Sequence, residues 1–262
     1  MVDVIIPSFN CTKTLDRTLL SLVNQTKKEF KVYVIDDASQ EDIESIVRMY
    51  DTQLDIHYSK NSTNVGCGMS RQVGIDLSSS DYFIFLDSDD VLIPTAIETF
   101  YTFINKHPDI EMAMSYFYRK NIDNSYMLFA NGCTWCHGKL YKRSLFEKYN
   151  IRYNPKFSMW CDDGYLNTKC FELTKVMVIP QPTYIWIDEN PEAITKVWEK
   201  YHPERNELYL EAMVDAYNFV LSHKQNLCTI KSVIDGITFT IDTPKEKALY
   251  DTLMELQEKY GN

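Results

Sequence analysis

Three carboxylates fall within four residues at Asp87-Ser88-Asp89-Asp90, directly after the apolar run Phe83-Ile84-Phe85-Leu86. An apolar strand ending in a tight acidic turn presents hard oxygen donors, which suit Mg2+ or Mn2+. A divalent cation held there offsets the charge of a departing diphosphate. A solvated turn or a helix N-cap would use the same residue types, so the cluster needs support from elsewhere. A second acidic pair, Asp162-Asp163, opens a helical pattern containing Tyr165, Leu166 and Cys170. A carboxylate so placed can take the proton of an attacking hydroxyl, or cap the helix that starts at Gly164.

The elements that must position these groups are legible as alternating periods. Strand-like runs at Val2–Pro7, Phe30–Ile35, Asp55–Ser59 and Tyr82–Leu86 alternate with helical patterns at Thr14–Gln25, Glu41–Tyr50 and Met69–Leu77. Such alternation predicts an α/β fold with a mostly parallel sheet covered by helices on both faces. Ligands bind beyond the carboxyl ends of such strands. Those ends are Pro7-Ser8-Phe9-Asn10, Asp36-Asp37 and Asp87-Ser88-Asp89-Asp90. Five carboxylates, on Asp36, Asp37, Asp87, Asp89 and Asp90, are thus expected around one crevice.

Residues 101–187 read as mixed, with a strand at Met112–Tyr118, a helix at Lys142–Tyr149 and a short strand, Val176–Ile179, closed by Pro180. From about Asp188 the character turns helical, with Trp198, Tyr201, Leu208, Leu210, Met213, Tyr217, Phe219 and Leu221, and a last helix covers 245–260. The expected organisation is a catalytic domain over 1–187, with donor half 1–100 and acceptor half 101–187. A helical C-terminal extension, 188–262, packs on it.

The bulk chemistry narrows the class. The net charge of −10 argues against stable nucleic-acid binding and against an anionic membrane surface. No apolar run approaches the ~18–20 residues that span a bilayer, and Asp3 interrupts any signal-peptide pattern. A cytoplasmic protein is expected, with peripheral membrane contact left open. The seven cysteines are odd in number and scattered, which favours buried free thiols. Cys133, Cys136, His137 and Cys161 form a weaker zinc alternative, since a second CxxC or an HxxxH is missing.

Four segments in register carry a resemblance: Val4-Ile5-Ile6-Pro7-Ser8-Phe9-Asn10, Val34-Ile35-Asp36-Asp37-Ala38-Ser39, Asn64-Val65-Gly66-Cys67-Gly68-Met69-Ser70-Arg71 and Leu86-Asp87-Ser88-Asp89-Asp90. Together they resemble glycosyltransferase family 2 with its GT-A (Rossmann-like) fold, strongly over the first 100 residues. The likeness continues more thinly through His137-Gly138-Lys139-Leu140-Tyr141-Lys142-Arg143 and Cys161-Asp162-Asp163. It implies an inverting transfer from a UDP-sugar with Mn2+ or Mg2+. Donor-site residues would be Pro7, Phe9, Asn10, Asp37, Arg71, Asp87, Ser88 and Asp89. Asp37 would accept the N3–H of a uracil, with Pro7 and Phe9 lining the base and ribose pocket. Arg71 would approach the diphosphate. Asp89 would be the direct metal ligand with Asp87 assisting, and Asp90 could as easily cap the turn leading to Pro94. Asp163 matches the position of the base, and Asp162 replaces a more common Glu.

His137 could meet the diphosphate or the acceptor, or be a structural histidine. Trp135 and Trp160 could stack on a sugar ring or a planar acceptor, although packing is the commoner use of Trp. The resemblance implies a hydroxyl acceptor on a surface or capsular glycan, a lipid-linked saccharide or a protein; a modified nucleobase of viral DNA is less expected. A nucleotidyltransferase would need a Gly-rich basic loop after the first strand, and Pro7-Ser8-Phe9-Asn10-Cys11 lacks one. A GT-A-shaped binding module without turnover is the non-enzyme alternative. Oligomeric state is not legible.

Overall fold

Strand β1, Val2–Ser8, carries the β-branched Val2, Val4, Ile5 and Ile6 and is buried along its whole length, as a central strand covered on both faces requires. It lies between β2 (Phe30–Asp36) and β4 (Tyr82–Phe85), parallel to both, and β2 is in turn parallel to β3 (Ile56–Lys60). Pro7 is accommodated because the β1–β4 ladder stops at Ile5↔Phe85, so its missing N–H costs no bond on that side. The register sets Ser8 opposite Asp36, and the acidic strand ends therefore reach the same level.

The computed structural model describes residues 1–132, 135–159, 161–189, 204–237 and 241–261. Among them nine strands form one sheet in the order β3-β2-β1-β4-β8-β6-β9-β5, with β7 paired to β6. The parallel pairing read from the sequence covers β3-β2-β1-β4. Beyond β4 the sheet is mixed. Strand β8 (Lys139–Lys142) is antiparallel to β4 and to β6 (Met112–Lys120), and β7 (Tyr126–Phe129) is antiparallel to β6. Strand β9 runs parallel to β6, and the two-residue β5 (Val91–Leu92) is antiparallel to β9.

Pro180 does not close a strand as expected: β9 spans Val176–Ile187. Its partners step from Ser115↔Ile179 to Tyr116↔Pro182 and then Phe117↔Tyr184, so Pro180, Gln181 and Thr183 fall in a bulge. A proline in a bulge removes no ladder bond, and the strand continues past it toward the acidic turn.

Helices cover both faces. Leu15, Leu19 and Leu22 of α1 (Leu15–Val23) join Ile43 and Val47 of α2 (Ile43–Arg48) on Val2, Val4 and Ile6. Each such buried side chain contributes about 1.5–3 kcal/mol. Helix α4 (Ala96–Lys106) adds Ala96, Ile97 and Phe100 to that layer. On the opposite face Ile75 of α3 (Cys67–Leu77) and Leu145 and Phe146 of α5 (Arg143–Tyr149) pack with Ile5, Ile35, Phe83 and Phe85. Helix α6 (Asp162–Leu173) follows.

The helical C-terminal part comprises α7 (Arg205–Leu221), α8 (Ile230–Asp235) and α9 (Pro244–Tyr260). Its Leu210, Met213, Ala216, Tyr217 and Leu253 share a core with Phe157, Cys161 and Tyr165. Trp198 and Tyr201 lie outside the described residues. No described helix is long and apolar enough to cross a membrane.

Candidate active site

The turn after β4 is built from two sides. Thr18 of α1 donates its hydroxyl to the carbonyls of Ser88 (3.0 Å) and Asp90 (2.8 Å), and Arg17 Nη2 donates to the carbonyl of Asp89 (2.7 Å). From the other side Tyr184 of β9 donates to Asp90 Oδ2 (2.6 Å), and the amide of Ile187 donates to Asp90 Oδ1 (2.7 Å). Asp90 is therefore the buried anchor that fastens the turn to β9, instead of a cap toward Pro94. Burial, then the charges of Asp89 and Asp87, push its carboxyl well above the usual range.

His137 enters the same turn from the loop before β8. Its Nε2 lies 3.7 Å from Asp87 Oδ2 and 3.9 Å from Asp90 Oδ2, and its buried Nδ1 has no hydrogen-bond partner among the described residues. The ring stacks on Tyr184, with centroids 4.8 Å apart and planes 19° apart. Asp87, Asp90 and His137 bring one ligand atom each within 4.8 Å of one another, a donor set that could hold a cation. The group differs from the expected pair of Asp89 and Asp87, for Asp89 does not share it. Asp89 is half-buried, and burial, then Asp87, pushes its carboxyl up to about 6.

Arg71 is the hub of the crevice and only 3% exposed. Its Nη2 donates to Asp87 Oδ1 at 2.7 Å, and its Nη1 bonds both Asp162 and Asp163. Burial alone would raise the Asp87 carboxyl, but Arg71 and then His137 outweigh it and hold it well below the ordinary range. Asp162 goes the other way, pushed up to about 8 by burial and then by the neighbouring Asp163.

Asp163 is in the first turn of α6, whose N-cap is Cys161 with no side-chain cap bond, so it does not cap the helix. Its Oδ1 meets Arg71, and its Oδ2 accepts from the amide of Cys136 at 3.0 Å. The carbonyl of Trp135 accepts from Lys139 Nζ and from Asn167 Nδ2, its ring lies edge-on to Phe117 at 5.6 Å, and the residue is 38% exposed. Trp160 and Cys133 lie outside the described residues. Cys136 is buried against the hydroxyls of Tyr141 and Tyr153, and no cysteine joins His137 in a cluster among the described residues.

The end of β2 behaves differently for its two carboxylates. Asp36 does not share the crevice, contrary to expectation. It is fully buried and accepts from Ser39 N and Tyr58 OH (both 2.7 Å), with Lys60 Nζ at 3.2 Å. Asp37 accepts from Asn61 Nδ2 and Val65 N (both 2.9 Å) and from Gly66 N (2.8 Å). Three of its roughly four lone-pair sites are thus used to hold the 61–66 loop. Ahead of it, Asn10 adopts φ 48° and ties the β1 end to the β2 end through Ser39 Oγ and Gln40 N, while Phe9 is 49% exposed.

Thr18, Arg17 and Tyr184 were not read from the sequence. Thr18 had a signal, a polar residue on the stripe Leu15, Leu19, Leu22; Tyr184 had none, because Pro180 masks its strand.

A parallel sheet that turns antiparallel beyond its acidic strand end, with a second acidic pair brought to that end, is the frame of a GT-A-fold glycosyltransferase. Residues 3–167 match the model of Glycosyl transferase family 2, and the chain belongs to that family. TarS of S. aureus in complex with UDP superposes over 99% of this chain and 72% of its own, with TM-score 0.68 at 18% identity. The mannosyltransferase PcManGT from Pyrobaculum calidifontis, in complex with GDP-Man and Mn2+, covers 98% of this chain and 80% of its own, with TM-score 0.61 at 12% identity. Both likenesses are of fold. Glycosyltransferase GlyA of Streptococcus pneumoniae serotype 4 is 28% identical over 247 residues, 82% of this chain and 33% of that relative. Chondroitin synthase of Escherichia coli is 32% identical over 142 residues, 52% of this chain and 19% of that one. The chain spans a third or less of the length of these two curated relatives.

Proposed function

We propose that this chain moves a sugar, with inversion, from a UDP-sugar to a hydroxyl acceptor, with Asp163 as the base. The observation that carries this is Arg71, whose one guanidinium bonds Asp87 from the strand-end turn and Asp163 from α6. Donor-side carboxylate and base are therefore within the span of a single side chain, as a direct displacement needs. Arg71 and the Cys136 amide fix the two oxygens of Asp163, which takes the acceptor's proton as that oxygen attacks. Pro7, Phe9, Asn10 and Asp37 form the nucleotide side, the uracil using the remaining lone pair of Asp37.

Carboxylate oxygens with one imidazole nitrogen within 4.8 Å suit Mn2+ or Mg2+, and Tyr184, Ile187 and Arg71 already orient these groups as outer partners should. Asp87, Asp90 and His137 would hold the ion, with Asp89 joining from the open side and Ser88 beside it. Once bound it supplies charge neutralisation for the departing diphosphate. The complexes of TarS with UDP and of PcManGT with GDP-Man support a nucleotide-sugar donor. A glycan, a lipid-linked saccharide or a protein is the favoured acceptor, with Trp135 and Asp162 on that side.

The test is release of UDP from a panel of UDP-sugars with MnCl2, repeated with Asp163→Asn and Asp89→Ala. Asp163→Asn is expected to lose about 10²–10⁴-fold in transfer while binding UDP as before. Neither release nor UDP binding by calorimetry from the unsubstituted protein would overturn the proposal.

A further inference from the structure

Tyr184 lies beyond residues 3–167, the segment that matches the family, yet it touches Asp87, Asp90 and His137, all three members of the candidate cation-binding group. Its hydroxyl donates to Asp90 Oδ2 at 2.6 Å and accepts from the amide of Asp87 at 3.2 Å, while its ring lies on His137 at 4.8 Å. The side chain is fully buried, so this arrangement has no solvent in which to relax. A buried ring fixes the imidazole plane by contact, and a hydroxyl with one donor and one acceptor bond fixes the turn.

The backbone that delivers Tyr184 is unusual in the same place. The bulge over Pro180, Gln181 and Thr183 shifts β9 against β6, and Thr183 Oγ1 meets Ser115 Oγ at 2.6 Å. The adjoining carbonyl of Thr183 accepts from Ile93 N at 2.9 Å, so the strand is pinned on both sides just before Tyr184. Without those extra residues the strand would be out of step, and a one-residue slip turns every side chain to the other face. The bulge is what points Tyr184 at the turn.

We infer that Tyr184 is a positioning residue for the cation: it sets the mutual placement of Asp87, Asp90 and His137 so that their ligand atoms converge before an ion arrives. This rests on the metal-dependent transfer proposed above. It reaches further by assigning the alignment to a strand outside the shared motifs. Outer contacts of this kind typically change metal affinity by about 10- to 100-fold when lost.

The test uses the full chain with MnCl2 and UDP, reading free Mn2+ by its paramagnetic resonance signal, and needs no turnover. Tyr184→Phe keeps the ring on His137 and removes only the hydroxyl; the half-saturating Mn2+ concentration is expected to rise about tenfold or more. Tyr50→Phe is the control, since Tyr50 OH donates to Asp16 Oδ1 at 2.7 Å away from the turn, and Mn2+ binding should not change. Asp90→Asn removes the acceptor of the same bond, so Asp90→Asn with Tyr184→Phe should lose less than the product of the single losses.

Equal Mn2+ affinity in Tyr184→Phe and the unsubstituted protein would overturn the inference, as would an equal loss in Tyr50→Phe or a fully multiplicative double variant. If Tyr184→Phe does not fold, Tyr184→His, which keeps a ring at this place but is too short to reach Asp90 Oδ2, decides instead, with unchanged Mn2+ affinity counting against the inference. Failure of the underlying proposal looks different: the unsubstituted protein, and not just the variant, then takes up no Mn2+, and Asp89→Ala changes nothing.

Discussion

Arg71 Nη2 and Asp87 Oδ1 meet at 2.7 Å, joining α3 to the end of β4 through a guanidinium that is almost wholly enclosed. The other nitrogen of the fork bonds the acidic pair of α6. Arg71, the residue expected at the diphosphate, holds three carboxylates. Burial and then the neighbouring Asp163 push the Asp162 carboxyl up to about 8, which eases the crowding of three carboxyls around one guanidinium.

Arg71→Met should therefore be destabilising by about 3–5 kcal/mol, the usual consequence of stranding a buried charge. Urea unfolding monitored by far-UV circular dichroism reads this directly. Arg71→Lys should retain more stability but lose transfer, because one ammonium cannot bridge Asp87 and Asp163 in fixed geometry. A Lys variant with full turnover would show that the fork is not needed.

Thr18→Val removes a hydroxyl and leaves shape nearly unchanged. Thr18 is fully buried, and its loss deprives the carbonyls of Ser88 and Asp90 of a donor. A loss of about 1–3 kcal/mol is expected for such unsatisfied groups, with weaker Mn2+ binding because the backbone of the turn is freed. Unchanged unfolding midpoint and Mn2+ titration together would count against Thr18 as a support of the turn.

What could be read in advance divides along physical lines. Strands β1, β2 and β4 were legible because two-sided burial writes a continuous apolar run, and the acidic turn stood out against it. Asp36 and Asp37 looked alike, since adjacent residues of a strand end point oppositely and nothing local says which one the sheet encloses. Tyr184 was hidden because two prolines imitate a strand end, and only pairing with β6 reveals a bulge. His137 was visible as a residue, but its approach to Asp87 and Asp90 depends on the antiparallel β4–β8 pairing, which is set by tertiary contacts.

Gly66 gives a backbone prediction. It has φ 85° and ψ 162°, a region that is essentially restricted to glycine, and an added Cβ would lie 2.7 Å from Met159 Cγ and Ser158 Oγ. Gly66→Ala should lose about 1–3 kcal/mol and tilt the amide that donates to Asp37, so UDP binding by calorimetry should weaken as well. Gly132→Ala, with nothing among the described residues within 4 Å of the added carbon, should change neither. Equal behaviour of the two variants would remove Gly66 from the nucleotide side.

The link between α6 and the C-terminal helices should show itself in acid. Glu172 of α6 is buried and accepts from the amides of Cys228 (2.8 and 2.9 Å) and Thr229 and from the Thr229 hydroxyl (2.7 Å), with Lys224 Nζ at 2.6 Å. Burial pulls its carboxyl upward, but Lys224, these amides and the hydroxyl together hold it below the usual value. A depressed folded pKa means stability that is present above the unfolded value, about 4.3, and lost as pH falls through the folded one. Glu172→Gln should be less stable than the unsubstituted protein at neutral pH by about 1–3 kcal/mol. Because the variant has no carboxyl to protonate, the gap should narrow as the pH drops below about 4. Urea unfolding over a pH series measures both curves, and parallel curves would mean that Glu172 does not couple the C-terminal helices to the pH.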